Sequence, residues 1–212
     1  MDFSAVILAG GRSSRMGRNK AWLEFRGHPL IVHQVETARA CKPTRIYISA
    51  GSPADYEGLG WPVLADNFPG SGPLGGIERA LEVVESSFLL VLAVDMPFIT
   101  AGTLKRLAAQ CEPNRGVVPR LEDQVQPLAA FYPKSAHATL LRLMGEGLHS
   151  AVHFAETCVT LGLARFSDFR EGRLNEFANW NTPDDVARSS AAMVGADPQV
   201  SNSAKNLRSL QR

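Results

Sequence analysis

Seven consecutive apolar residues, Phe88 through Val94, run straight into Asp95, and this feature constrains the fold of the 212-residue chain more than any other. A strand with one wet face alternates apolar and polar residues. A strand apolar at every position is covered on both faces, as at the centre of a parallel sheet between layers of helix. Further short β-rich runs occur at Ala5–Leu8, Arg45–Ile48, Pro62–Leu64, Gly116–Val118 and Leu128–Tyr132. Between them, Pro29–Ala40, Gly76–Val84 and Thr103–Cys111 place apolar residues at helical spacings. Alternating strand and helix predicts an α/β fold: a doubly wound, mainly parallel sheet in three layers. In such sheets ligands bind beyond the carboxyl ends of the strands, so the residues that follow each strand are the ones to inspect.

With 45% hydrophobic residues the chain can bury one sizeable core, and a single domain over 1–188 is expected. From about Ser189 the sequence turns to Ser, Ala, Asn and Gln, and 189–212 reads as a disordered tail. Twenty-two basic against 21 acidic residues, a net charge of +1, give no field that would draw the protein onto nucleic acid. Cys41, Cys111 and Cys158 are odd in number and unpaired by spacing, which points to a reducing compartment. Met1-Asp2-Phe3-Ser4 carries an acid where a signal peptide carries positive charge, and no apolar run approaches the roughly 20 residues that span a bilayer. A cytoplasmic protein with no membrane partner is expected.

The first strand enters Leu8-Ala9-Gly10-Gly11-Arg12-Ser13-Ser14-Arg15-Met16-Gly17-Arg18-Asn19-Lys20. Glycines let backbone approach an anion closely, Arg15 can grip a phosphate through two hydrogen bonds, and Lys20 can act as a mobile point charge. Two residues separate Gly17 from Lys20 and Ala21 follows, so the loop is not a Walker A motif, and no GxGxxG is present. The plain alternative is a basic surface turn.

Asp95 closes the apolar strand. A carboxylate there needs hydrogen bonds, an ion pair or a metal, and beside a triphosphate a Mg²⁺ held by one or two carboxylates and phosphate oxygens meets that need. The alternative is that Asp95 caps the next helix. Asp66 is a further strand-end acid, ahead of Pro69-Gly70-Ser71-Gly72-Pro73-Leu74-Gly75-Gly76, a segment that either offers a helix N-terminus to an anion or merely turns tightly. His149 and His153 have the i, i+4 spacing of two metal ligands on a helix, but lack an HExxH acid and a nearby third ligand, and no zinc site is expected. Trp22, Trp61 and Trp180 read as core or pocket-wall aromatics.

Taken in order, Leu8-Ala9-Gly10-Gly11, Arg15-Met16-Gly17, Lys20, Ser71-Gly72-Pro73-Leu74-Gly75-Gly76, Asp95-Met96-Pro97, Gln126-Pro127-Leu128 and Asn179-Trp180-Asn181-Thr182-Pro183-Asp184-Asp185 resemble the molybdenum cofactor guanylyltransferase family over about residues 4 to 188. The opening motif is shared by the wider class of nucleotidyltransferases with a Rossmann-like sheet; the Gly-Pro-Leu-Gly-Gly segment and the Asn-x-Asn-Thr-Pro-x-Asp ending narrow the choice. The resemblance implies Mg²⁺-dependent transfer of GMP from GTP to molybdopterin, with release of pyrophosphate. It also implies transient contact with molybdenum-cofactor synthesis or acceptor proteins. On the same basis Leu8, Ala9, Gly10 and Gly11 match the nucleotide loop, Lys20 the phosphate-binding lysine, Asp66 a nucleotide-site acid and Asp95 the magnesium ligand. Asn179 and Asn181 match a closing motif assigned to the acceptor side.

One departure concerns base selection: where the family often has an Asn after the second strand, this chain has Ile48-Ser49-Ala50-Gly51-Ser52. The acceptor phosphate brings its own nucleophilic oxygen, so catalysis reduces to positioning and charge neutralisation by Arg15, Lys20 and Asp95. The competing expectations are a nucleotidyltransferase with another nucleotide or acceptor, such as the cytidylyl version of the cofactor or a sugar phosphate, and a catalytically silent nucleotide-binding module.

Overall fold

The computed structural model describes residues 1–10, 19–68, 70–169, 175–180 and 185. Contacts divide the chain into a unit Met1–Asn179 and a second unit Trp180–Arg212. The tail expected from 189 lies outside the described residues.

Among the described residues the strands are β1 Phe3–Leu8, β2 Glu24–Phe25, β3 His28–Pro29, β4 Ile46–Ser49, β5 Val63–Leu64, β6 Phe88–Ala93, β7 Gly116–Leu121, β8 Gln124–Val125, β9 Ala129–Pro133 and β10 Ala164–Phe169. The helices are α1 Leu30–Arg39, α2 Pro73–Val83, α3 Ala101–Ala108, α4 Ala136–Gly145 and α5 Ala151–Thr160. The main sheet has the order β10-β7-β9-β6-β1-β4-β5, with β8 paired to β7; β2 and β3 form a separate ribbon. Strands β1, β4, β5 and β6 are mutually parallel, as are β7 and β10, while β9 runs antiparallel to both of its neighbours. The mainly parallel Rossmann-like sheet is as the sequence predicts, with β9 and the short β8 as its reversed members.

Burial explains why these segments are strands. Every residue of β6 is buried, and β6 lies between β1 and β9. Alternate residues face different layers. Val6, Leu8, Leu89, Val91, Ala130 and Tyr132 join Leu74, Ile77 and Leu81 of α2, Leu140 of α4 and Phe154 of α5 in one cluster. The intervening residues, Ile7, Leu90 and Phe131 among them, are equally buried but belong to the other face, which α1 and α3 cover. Close packing is enforced at Gly116, where an added Cβ would lie 2.0 Å from the Phe131 carbonyl oxygen on the neighbouring strand.

The chain runs outward from β1 to β4 and β5, then returns through α2 to place β6 on the other side of β1. That reversal makes the carboxyl ends of β1 and β6 the switch point at which an open α/β sheet leaves a crevice. Leu8 and Ala93 are paired there in register.

Local differences from expectation have local causes. Helix α2 starts at Pro73, three residues ahead of the expected Gly76, because proline at the first helical positions has no N–H to lose. Helix α3 is capped by Thr100, whose hydroxyl accepts from the Thr103 N–H at 3.1 Å; Asp95 is therefore not its cap. His149 precedes the Ser150 cap of α5 and only His153 is in the helix, so the two do not share a helical face. Trp22 is 43% exposed and stacks on Tyr56 with ring centroids 5.8 Å apart, a surface position rather than the core or pocket wall expected. No helix among the described residues is long and apolar enough to cross a membrane.

Candidate active site

At the switch point Leu8, Ala9 and Gly10 leave β1 while Val94 and Asp95 leave β6. With Asn19, Lys20, Pro73 and Leu128 these residues line a cavity of about 200 Å³. The backbone lays its floor: the Val94 N–H donates to the Leu8 carbonyl at 3.1 Å, and the Ala93 N–H to the Leu128 carbonyl at 2.8 Å. The Ala9 and Gly10 N–H groups both donate to the Ser49 carbonyl, at 2.9 and 3.1 Å. Those two amides are thereby committed to the sheet, and Lys20 is the cation that the described residues bring to the cavity. Gly10 lies close to the turn after β4; a Cβ there would stand 3.4 Å from the Gly51 nitrogen.

Lys20 occupies a single 3-10 turn, Lys20–Trp22, capped by the Asn19 carboxamide oxygen, which accepts from the Ala21 N–H at 3.1 Å. From there its ammonium reaches Asp95 at 3.1 Å, with 19% and 24% of the two side chains exposed. A cation and a carboxylate that the sequence assigns to phosphate and metal thus meet each other across the mouth of the sheet. Partial burial strengthens such a pair, and it keeps both charges where a triphosphate and a divalent cation could exchange with them.

The turn that presents Asp95 is held from behind by α1. Gln34, fully buried, donates from Nε2 to the Met96 carbonyl, and His33 Nε2 lies 3.0 Å from the Pro97 carbonyl, which fixes that nitrogen as the protonated one. Burial lowers the His33 pKa, which favours this neutral form.

Asp66 is not among the residues lining the 200 Å³ cavity. It accepts from the Ser49 hydroxyl at 3.1 Å, just beyond the end of β4, and burial pushes its carboxyl up despite that bond. Its neighbour Asn67 donates to Glu78 and Glu82 of α2, at 3.2 and 2.9 Å. The glycines that open α2 let the helix settle here. A Cβ on Gly76 would lie 2.2 Å from the Ser49 hydroxyl oxygen, and one on Gly75 3.2 Å from an Asp66 carboxylate oxygen. Gly70 and Gly72 supply positive φ, +94° and +60°, in the approach to the helix. The segment therefore serves close approach and turning together, and Pro73 at its helical start reaches the cavity.

A second cavity, of about 440 Å³, adjoins the first through Leu128 and through Met96, the residue after Asp95. Gln126, Pro127 and Leu128 form one side; Asp123, Gln124, Val152, Glu156 and Asn179 are also in its lining. Asn179 is thus brought beside the Gln126-Pro127-Leu128 segment. Gly11, Arg15 and Asn181 lie outside the described residues. Burial pushes the Cys111 and Cys158 thiols up to about 12, so neither offers a thiolate at neutral pH.

Sequence reasoning missed Tyr56, which bonds to both Asn19 and Ala9. It lies 37 residues from Asn19 in a 3-10 turn, and no local pattern marks it.

The molecule has relatives on both sequence and structure. It is 35% identical over 188 residues to a probable molybdenum cofactor guanylyltransferase of Opitutus terrae, covering 87% of this chain and 93% of that one. It is 34% identical over 159 residues to the molybdenum cofactor guanylyltransferase of Syntrophotalea carbinolica, covering 74% and 75%. Its fold matches the crystal structure of molybdopterin-guanine dinucleotide biosynthesis protein A from Archaeoglobus fulgidus with a TM-score of 0.70 at 24% identity, over 91% of this chain and 99% of that one. A family model for the MobA-like NTP transferase domain matches residues 5–158. On that match and those relatives, the chain belongs to the MobA-like NTP transferase domain family.

Proposed function

We propose that the protein transfers GMP from GTP to molybdopterin, releasing pyrophosphate and forming the guanine dinucleotide form of the cofactor. The observation that carries this reading is the pair of adjoining cavities at the switch point: one with Lys20 against Asp95, the other with Asn179 beside Gln126-Pro127-Leu128, and Leu128 common to both. Relatives at 34 and 35% identity that bear the guanylyltransferase name support the choice of nucleotide and acceptor.

In this reading GTP lies over the ends of β1 and β6, against Leu8, Ala9 and Gly10. Gly11 continues the nucleotide loop, and Arg15 grips and neutralises phosphate, the role its guanidinium chemistry suggests. Lys20 turns from Asp95 to the phosphates and stabilises charge on the α-phosphate and the departing pyrophosphate as the acceptor phosphate attacks in line. Asp66 acts on the nucleotide side through Ser49, at the end of β4. Asn179, with Asn181, orients the acceptor in the second cavity.

Among the described residues no group of three or more His, Cys, Asp or Glu side chains could cage a metal ion. One strand-end carboxylate beside a phosphate site is a donor set that fits Mg²⁺, which keeps waters and substrate phosphate oxygens as its other ligands. Asp95 would hold it; when bound, the ion supplies neutralisation of phosphate charge. A cytoplasmic setting is supported by three free cysteines at Cys41, Cys111 and Cys158. Contacts with molybdenum-cofactor synthesis or acceptor proteins are transient in this reading.

The test is pyrophosphate release by the purified protein with Mg²⁺ and molybdopterin, comparing GTP with CTP, ATP and UTP. Release confined to GTP is expected. Release with CTP alone would make the protein a cytidylyltransferase, and none with any nucleotide would leave a binding module or another acceptor.

A further inference from the structure

Tyr56 stands in the 3-10 turn Pro53–Leu59 and is 1% exposed. Its hydroxyl accepts from Asn19 Nδ2 at 2.8 Å and lies 3.3 Å from the Ala9 carbonyl, to which it donates. The carboxamide oxygen of the same Asn19 caps the turn that carries Lys20. One phenolic oxygen therefore joins the backbone leaving β1 to the base of Lys20. Burial pushes the Tyr56 hydroxyl up, which keeps its proton available for donation. Its ring is fixed independently by the stack against Trp22, with planes 20° apart.

We propose that Tyr56 is a positioning residue for nucleotidyl transfer: its hydroxyl ties the turn that carries Lys20 to the backbone leaving β1, so that the Lys20 ammonium is held at the mouth of the nucleotide cavity. The role rests on the function proposed above. It differs from simple packing, because packing belongs to the ring and positioning to the oxygen. Asn19 is the intermediary, since one side chain both receives the tie and caps the lysine turn.

The discriminating variant is Tyr56→Phe, which keeps the ring and the Trp22 stack and removes both hydrogen bonds. Pyrophosphate release would be followed for the wild type, Tyr56→Phe, Lys20→Met and the double variant, with melting curves for all four. Two lost hydrogen bonds predict a fall of roughly 10–30-fold in Tyr56→Phe, with most of it in kcat because Lys20 acts on charge developed in the transition state. In the Lys20→Met background the same change is expected to cost less than about twofold, since coupled residues are not additive. Wild-type kinetics in Tyr56→Phe, with or without a lowered Tm, would overturn the role, as would an equal loss in both backgrounds. A wild type that binds no nucleotide and releases no pyrophosphate would overturn the guanylyltransferase reading, and this role with it.

Discussion

The two cavities share the Leu128 wall, yet they are built from different halves of the sheet and carry different chemistry. The smaller one stands on parallel strands β1 and β6 and sets one cation against one carboxylate. The larger one stands on the β7–β8 hairpin and the entry to β9, and its described lining offers amides at Gln124, Gln126 and Asn179 and acids at Asp123 and Glu156, with no Lys or Arg. In the function proposed above the triphosphate belongs to the first and the acceptor's heterocycle to the second, where recognition would rest on the direction of hydrogen bonds rather than on net charge. Substitutions on the two sides should therefore fail in different ways.

The largest effects belong to the charged side. Lys20→Met and Asp95→Asn should each lower kcat for pyrophosphate release by about 10²–10³, the usual cost of losing one stabilising group at the reacting phosphate, and Asp95→Asn should also shift the Mg²⁺ dependence. Full turnover with unchanged Mg²⁺ dependence in Asp95→Asn would remove the carboxylate from the reaction. On the amide side Asn179→Ala should raise KM for molybdopterin about 10-fold, the cost of a hydrogen bond of ordinary strength, and leave KM for GTP unchanged. A rise in KM for GTP instead would merge the two cavities into one nucleotide site.

The smallest effect sharpens the boundary between catalysis and stability. Burial raises the Asp66 carboxyl above its ordinary value, so the folded state holds that proton more tightly than the unfolded chain. The stabilising contribution is complete below the unfolded pKa, near 3.8, and is lost as pH rises through the folded value. At neutral pH the carboxylate is thus a cost. Asp66→Asn keeps an acceptor for Ser49 and should raise Tm at pH 7, with no gain below the unfolded pKa. A lowered Tm at pH 7 would contradict that sign.

What could be read in advance followed the same division. Strand β6 was legible because an unbroken apolar run has few other uses, and Lys20 and Asp95 because charges at strand ends call for a ligand. Their 3.1 Å pairing was not, since nothing local links residues 75 apart. The far half of the sheet was legible only in part: β7 and β9 stood out as apolar runs, but β10 mixes Arg165 and Asp168 into its run as an edge strand does, and α4 and α5 escaped notice although Leu140 and Phe154 are fully buried. Gly76 shows a motif visible before its reason, which is the Ser49 hydroxyl that leaves no room for a Cβ. Tyr56 had no sequence signature, because its role depends on a hydrogen bond that only the tertiary fold creates.

The reversal of β9 changes which of its residues reach the cleft. In the parallel strands the residues that exit a strand reach the cleft; in β9 the residues that enter it do, because Ala129 pairs with Leu92 near the exit of β6. The stretch Leu121 to Leu128 thus supplies one side of the larger cavity, tethered at one end by β7 and at the other by the Leu128 carbonyl, so a change of length there would reshape that cavity while leaving the ends of β1 and β6 in place.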